Sequence, residues 1–562
     1  MSKPVFDNIL TRHPLVVTFL FITLCLLPTL VIRDFTPDNE LRYLQIADEA
    51  IENGTAFAFT LDGEAYADKP PLYFWIVMLC KLLLGKHSML LLSLFSLIPA
   101  FVIIAIMDKW TALEKVTDRM AIAFMMMTSA LFLGLSVFLR MDMLMTMFIL
   151  LALRSFWLMY TGEGNTKRQS FLLPVWIFLA LFVKGPVGIL MPPVAIVCFL
   201  LVKHRGREIG KYLGWKTWGI IAGLCLLWFL GAYLEGGKGY IQNLLVHQTV
   251  DRAVNSFHHK APFWYYFAAI WYIFPPYMFL VIGALFVSLS KSGGRERGNA
   301  DDAELFFTVT IISTFVMLSL FSSKMAIYLA PIMPFMVMLF VEVLRRTGWK
   351  KWMTWSLAVP VGLMGIVALA VFIGLCLGDK IPALAGILAQ FPFWRFWALK
   401  LATLVLLSGA VFSLYYLFRK KLPSISLIFI GASMLLTMYV AASRLSQAND
   451  WVGYGNLCET IPSDAEVATV RIRRARPMKV YLGREVSDYQ NDFEKFKAAE
   501  VDARTLSDGP LVLVTRTEKL AKDADLAAFV EGHDHWFVGP YCAVKYNPDN
   551  NNPSITEQPL DL

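Results

Sequence analysis

From the N-terminus to about Ala442, long apolar blocks alternate with short polar loops. A helix rises about 1.5 Å per residue and the hydrocarbon core of a bilayer is about 30 Å thick, so blocks of roughly 18 or more apolar residues read as membrane spans. The pattern predicts spans at 14–32, 90–107, 120–138, 143–160, 171–183, 187–203, 217–234, 263–288, 304–322, 328–344, 354–377, 396–417 and 423–442. The run from Pro71 to Leu84 has about 14 residues and is too short to cross. Taken as an interfacial helix, it leaves thirteen spans whose loops alternate consistently.

In that register the loops at 108–119, 161–170, 203–216, 291–303, 345–353 and 418–422 share the side of the N-terminus and hold about 20 Lys and Arg. The short loops opposite hold about eight. Excess Lys and Arg marks the cytoplasmic side, so the N-terminus is expected inside and the C-terminal tail outside. The first block follows Lys3 and Arg12 without a small-residue cleavage site, which reads as a retained span and not a removed signal.

Past Ala442 no block is long enough to span. Glu466–Ile472 and Pro510–Thr515 are β-branched, strand-like runs, Tyr489–Asp508 is polar and helix-prone, and Asn547–Leu562 is rich in Asn, Pro and Asp and expected to fray. The expected organisation is an all-α polytopic membrane domain over 1–442, with a periplasmic loop at 33–89 carrying juxtamembrane helices, and a small soluble α/β domain over 443–562.

Composition agrees: 57% of residues are hydrophobic and 17% charged, against about 25% charged in soluble domains. The net charge of +8 lies mostly in juxtamembrane loops, where membrane insertion explains it, so nucleic acid is not an expected partner. Five of the seven cysteines are in apolar segments; Cys458 and Cys542 fall in the tail and could pair if it is outside the cytoplasm. No CxxC spacing, P-loop or dinucleotide glycine fingerprint occurs, so neither a structural zinc of that kind nor a nucleotide cofactor is expected.

With the topology set, polar residues that solubility does not explain gather toward the outer face. They include Pro37-Asp38-Asn39-Glu40-Leu41-Arg42-Tyr43, Tyr66-Ala67-Asp68-Lys69-Pro70-Pro71, Arg140-Met141-Asp142-Met143 and Lys184-Gly185-Pro186. A loop follows with His247, Arg252, His258, His259 and Lys260, then Ser322-Ser323-Lys324 with Tyr328. Any one of these can be an ordinary interfacial anchor. Asp142 between apolar neighbours is harder to explain so, because a carboxylate near hydrocarbon costs several kcal/mol. Together the groups suit a donor with a phosphate leaving group. Cations bind the phosphate and stabilise its developing charge, a carboxylate acts as base toward an acceptor hydroxyl, and a carboxylate with a histidine can hold a divalent metal.

These motifs, in this order, resemble the aminoarabinose transferase branch of the protein-mannosyltransferase-like membrane glycosyltransferases over roughly residues 10–345. The resemblance implies the GT-C fold and an inverting glycosyltransferase of the bacterial inner membrane. Such an enzyme takes a sugar, aminoarabinose or a related pentose or hexose, from a polyprenyl-phosphate (undecaprenyl-phosphate) donor and attaches it to a periplasmic acceptor such as lipid A or another envelope glycan. It implies a catalytic carboxylate in the first motif and a second acidic position at Asp142. Arg42, Tyr43, Tyr66, Lys69, Lys184, Arg252, Lys324 and Tyr328 would line the donor phosphate and lipid. Asp68 stands where the family usually has Glu and would hold a divalent ion (zinc, magnesium or manganese) with His247, or else His259. The family reads Pro-Asp-Glu-x-Arg-Tyr, and here Asn39 is inserted. Alignment forward from Pro37 selects Asp38, whereas alignment backward from Arg42 brings Asn39 to the position with Glu40 beside it, so the catalytic carboxylate is either Asp38 or Glu40. Rival readings are a lipid or solute transporter or flippase, a protein O-mannosyltransferase-like enzyme, and a non-catalytic envelope scaffold. Transporter sites lie near the midplane between internal repeats, and this chain has neither feature. A monomer is expected.

Overall fold

The computed structural model describes residues 12–245, 260–290, 300–390, 396–501 and 509–546. The chain divides into two compact units. The first comprises 1–31, 54–59 and 65–443, and the second comprises 32–53, 60–64 and 444–562.

The first unit is helical. Among the described residues ten helices are long and apolar enough to cross a membrane, or eleven if one bent pair is a single span. Thirteen were expected, and the shortfall has local causes. Val116–Met127 and Ala130–Val137 meet at 73° where one straight span was predicted. At the bend Thr128 and Ser129 turn their hydroxyls back onto the carbonyls of Phe124 and Met125, at 2.7 and 2.8 Å, a local bond that competes with the helical ladder. The expected span at 263–288 is two short helices, Tyr265–Ile273 and Met278–Ser290, parted at Pro275 and Pro276, neither of which has an N–H to continue a helix. Pro186–Val202 has 17 residues, just short of a full span. Thr166–Lys184 is longer than predicted, 19 residues with Pro174 inside. Leu72–Leu84 is the short helix expected, with 13 residues and Leu79, Leu82 and Leu83 exposed.

Burial ranks the spans. In the most apolar 18-residue stretch of each span, 83% of the residues are buried in Ala326–Thr347, which lies innermost, against 22% in Trp215–Leu245 and in Lys351–Leu377, which present apolar faces outward. Helices satisfy their own backbone polar groups, so such faces are suited to lipid.

The second unit is α/β. Two short strands, β1 (Phe59–Leu61) and β2 (Glu64–Tyr66), precede its sheet in the chain. The sheet contains β3 (Glu466–Thr469), β4 (Val486–Asp488), β5 (Leu511–Arg516), β6 (Asp534–Val538) and β7 (Tyr541–Tyr546), in the order β4-β3-β5-β7-β6. β3 pairs in parallel with β4 and β5, while β7 is antiparallel to β5 and β6. Val470, Phe496, Leu513, Leu526 and Val544 fill the core. The strand-like runs thus lie where expected, and among its described residues the helix-prone stretch yields Phe493–Phe496 and one wide turn at Lys497–Val501. Residues 502–508 and 547–562 lie outside the described residues. All seven cysteines are free thiols; Cys458 and Cys542 are buried separately.

The segment 32–53, predicted to belong to the membrane part, belongs to this second unit. The reason is polar. Asp34 accepts from the Gly455 N–H at 2.7 Å and from the Tyr481 hydroxyl. A Cβ at Gly453 would lie 2.2 Å from the Asp34 carboxylate, so glycine is what admits it. The helix Glu40–Asn53 then buries ten of its 14 residues.

Candidate functional site

In the first unit the Lys-Gly-Pro-Val-Gly motif is a helix–break–helix. Lys184 ends one helix, Gly185 takes φ 106° and Pro186 opens the next. A positive φ suits glycine, and proline at the first helical position loses no hydrogen bond. Gly188 lets the second helix close on the first, since a Cβ there would meet the Ala180 carbonyl at 2.3 Å. The break delivers the Lys184 ammonium to Asp142, the first residue of helix Asp142–Thr161. Arg140 Nε reaches the other carboxylate oxygen at 3.3 Å. Asp142 is 1% exposed, at a helix N-terminus that favours its charge. Lys184 also lies 4.9 Å from the centroid of the Tyr328 ring, a cation–π contact.

Beside this triad is a cavity of about 460 Å³. Its walls are apolar, with Trp228, Phe229, Leu244, Leu318 and Phe321 among them, and Asp68, Lys69, Lys184, Tyr266, Ser323 and Tyr328 supply its polar groups. Of the residues singled out in the sequence, the structure therefore gathers Asp68, Lys69, Lys184 and Tyr328 here, with Asp142 behind Lys184. Tyr66 is buried one residue before the lining, its carbonyl accepting from Tyr240 at 3.0 Å. Lys324 has a different setting from the one expected. Its ammonium is buried and donates to the carbonyls of Ala261, at 3.1 Å, and Phe321, and the neighbouring Ser323 is the residue on the cavity wall.

Sequence reading missed Glu235. One carboxylate oxygen of Glu235 accepts the N–H groups of Ala56, Phe57 and Ala58 at 2.9, 2.6 and 2.9 Å. Trp75 Nε1 donates to the Ala56 carbonyl at 2.5 Å. Together they hold the chain leading toward Asp68 and Lys69. The signal available was an acid at the end of an apolar run, followed by Gly236-Gly237, with Gly237 at φ 68°.

In the second unit the two candidate carboxylates differ. Glu40 is 1% exposed and accepts from both terminal nitrogens of Arg33 at 2.7 Å and from the Thr36 backbone and hydroxyl at 2.8 and 2.9 Å. The Asp38 side chain is 59% exposed and meets Arg474 at 2.9 Å. Tyr43 is buried, with Arg42 over its ring at 5.9 Å. Glu49 accepts from Gln45, Thr60, the Asp62 and Gly63 N–H groups and Lys479. Burial by itself would raise its carboxyl, but Lys479 at 3.0 Å, with Gln45, the Asp62 N–H and Thr60, outweighs that and brings it to about 2.

His247, Arg252 and His259 lie outside the described residues. Among the described residues no group of three or more His, Cys, Asp or Glu side chains is gathered to hold a metal.

No family model matches the chain. It is 24% identical over 328 residues, 57% of each chain, to an undecaprenyl phosphate-alpha-4-amino-4-deoxy-L-arabinose arabinosyl transferase of Erwinia tasmaniensis. It is 26% identical over 324 residues to an uncharacterized protein of Aquifex aeolicus, covering 56% of this chain and 60% of that one. The matched stretch thus spans less than two thirds of these relatives. The crystal structure of ArnT from Cupriavidus metallidurans bound to undecaprenyl phosphate superposes with TM-score 0.69 at 16% identity, over 97% of this chain and 98% of that one. The chain is therefore a multi-pass membrane protein with the ArnT-like GT-C fold, and it is similar in sequence to aminoarabinose transferases.

Proposed function

We propose that this chain is an inverting membrane glycosyltransferase that moves a sugar from a polyprenyl-phosphate donor to a periplasmic acceptor, lipid A or another envelope glycan. The supporting observation is the 460 Å³ cavity, apolar along its walls and cationic at Lys69 and Lys184. That combination suits an isoprenoid chain ending in a phosphate. An acceptor oxygen attacks the anomeric carbon, the bond from that carbon to the phosphate oxygen breaks, and the polyprenyl phosphate leaves with the electron pair. Lys69 stabilises the charge that develops on it. Lys184 is held by Asp142 and stacked on Tyr328, which orients it toward the same phosphate.

Of the two first-motif carboxylates we assign the base to Asp38. It is exposed, whereas Glu40 is saturated by Arg33 and Thr36. It would take the proton of an acceptor hydroxyl. A divalent ion held by Asp68 with His247 or His259 belongs to the same proposal and would share the phosphate's negative charge. Dialysis against a chelator, followed by metal analysis and a transfer assay, tests it. The similarity to aminoarabinose transferases supports aminoarabinose as the sugar. The excess of Lys and Arg in alternate loops supports a cytoplasmic N-terminus and a periplasmic C-terminal domain, in a monomer of the bacterial inner membrane.

The deciding experiment is mass spectrometry of total lipids and lipid A from a strain lacking the gene, beside its parent. Accumulation of a polyprenyl-phosphate sugar, with loss of that sugar's mass from lipid A or another glycan, is the expected result. Unchanged lipids and glycoconjugates would overturn the transferase reading and favour transport.

A further inference from the structure

The helix Trp215–Gln242 is interrupted at Gly237, whose φ of 68° lies outside the helical region. Residues on both sides of the break wall the same cavity. Trp228 and Phe229 before it, and Leu244 and Leu245 after it, border the space of about 460 Å³ that Lys69 and Lys184 make cationic. The residues around the break are tied to the segment that leads into Lys69.

That approach is close. A Cβ at Gly231 would lie 2.8 Å from the Phe57 ring, and one at Gly236 would lie 2.9 Å from the Ala58 Cβ. A side chain at either position would push the two segments apart. Trp228, Ala232 and Tyr240 pack with Ala58 and Ala67 in one buried apolar cluster. Polar bonds then fix the register. One Glu235 oxygen accepts the N–H groups of Ala56, Phe57 and Ala58, an anion set in a row of backbone donors. The Tyr240 hydroxyl donates to the Tyr66 carbonyl at 3.0 Å and accepts the Phe59 N–H at 3.3 Å. Glu235 precedes the break and Tyr240 follows it, so both halves are tied to the same neighbour. Lys69 follows Tyr66 closely in the chain.

Neither Glu235 nor Tyr240 is among the described residues of the cavity wall, so any effect on a bound molecule passes through the segment they hold. An ammonium grips a phosphate oxygen only within hydrogen-bond reach, and a displacement of about 1 Å is enough to lose it. The hold on an apolar chain is less exacting, because Leu181, Val187, Ile189, Leu190 and Leu318, on other helices, share the wall. We infer that Glu235 and Tyr240 are positioning residues. They clamp the segment bearing Lys69 so that its ammonium meets, together with Lys184, a phosphate bound in the cavity. The clamp thereby sets the preference of the site for a phosphorylated isoprenoid over the bare alcohol, a role that rests on the proposed function for taking that phosphate to be the donor's.

The test is binding of radiolabelled farnesyl phosphate to the full-length protein in nanodiscs, competed by unlabelled farnesyl phosphate or by farnesol. The wild type is expected to bind the phosphate about tenfold or more tighter than the alcohol, and Lys69→Ala should remove that preference. Glu235→Gln, which keeps the shape and removes the charge, should weaken farnesyl phosphate about tenfold and leave farnesol unchanged. Tyr240→Phe keeps the ring and removes the bond to Tyr66; it should give a several-fold loss of the same selective kind, and it stands as the second variant if Glu235→Gln fails to fold. A purely structural role would weaken both probes alike, and that result would overturn the inference, as would a phosphate preference unchanged in the two variants. In either case a preference that Lys69→Ala still removes would leave the proposed function standing. No preference in the wild type would instead remove the phosphate reading of the cavity, and the positioning role with it.

Discussion

The guanidinium of Arg33 holds both carboxylate oxygens of Glu40, each at 2.7 Å, with the two side chains 6% and 1% exposed. A carboxylate so enclosed is a support, and its neighbour Asp38 is free of that enclosure. Glu40→Ala should leave the buried Arg33 guanidinium without its carboxylate and destabilise the protein by about 3–5 kcal/mol. Asp38→Asn breaks only a surface pair, worth at most about 1 kcal/mol. It should leave the melting temperature nearly unchanged while lowering transfer about 10²–10⁴-fold. Thermal melts beside a transfer assay check both. Full activity in Asp38→Asn would sink the assignment of the base.

Asp142 faces two cations, Arg140 and Lys184. Asp142→Asn takes the carboxylate from the buried Lys184 ammonium, with an expected cost of about 3–5 kcal/mol. The triad predicts that this variant's membrane abundance will fall. Asp142→Asn combined with Lys184→Met should recover much of the stability, read as melting temperature in detergent. No recovery would mean that the ion pair is not the source of the loss. Lys69→Ala, at the cavity wall, is the substitution expected to abolish transfer without lowering abundance.

Glu235→Gln keeps the shape and removes the charge that accepts three backbone N–H groups. Hydrogen bonds to a charged group are each worth about 1.5–3 kcal/mol, so hydrogen exchange at Ala56–Ala58 should quicken at least tenfold. Unchanged protection would show that Trp75 alone holds this segment.

The pair of Glu49 and Lys479 makes stability depend on pH in a defined direction. The Glu49 carboxyl is brought from an ordinary 4.5 to about 2 in the folded protein, so its contribution is present above pH 4.5 and is lost as pH falls toward 2. Burial works against the Lys479 ammonium, but Glu49 and Glu485 outweigh it and raise its pKa above the ordinary 10.5. Its contribution is therefore present below pH 10.5 and lost at higher pH. Melting temperature of the wild type should fall between pH 4.5 and 2.5. Lys479→Met should lower the plateau and shrink the difference between plateau and acid, and an identical acid limb in that variant would exclude the pair as its cause.

Taken alone, the sequence determined that the chain crosses a membrane many times, where most spans begin and end, and that an α/β tail follows. Those features depend on hydrophobic length and period, which are local. It also selected Lys69, Asp142, Lys184 and Tyr328, because charges and aromatics at span ends are conspicuous against apolar neighbours. What it could not decide depends on partners distant in the chain. The bend at Thr128-Ser129 is set by hydroxyls competing with the ladder, and the split at Pro275-Pro276 lies in a run that is apolar throughout. Hydropathy registers neither. Asp38 and Glu40 are two residues apart and equally acidic in sequence. Only the folded chain, by placing Arg33 against one and leaving the other largely in solvent, separated an enclosed carboxylate from an exposed one. Likewise Glu235 is an ordinary acid at the end of an apolar run until the N–H groups of Ala56, Phe57 and Ala58 close on its carboxylate. Burial and charge pairing are properties of three-dimensional neighbours, and those neighbours are set by tertiary packing.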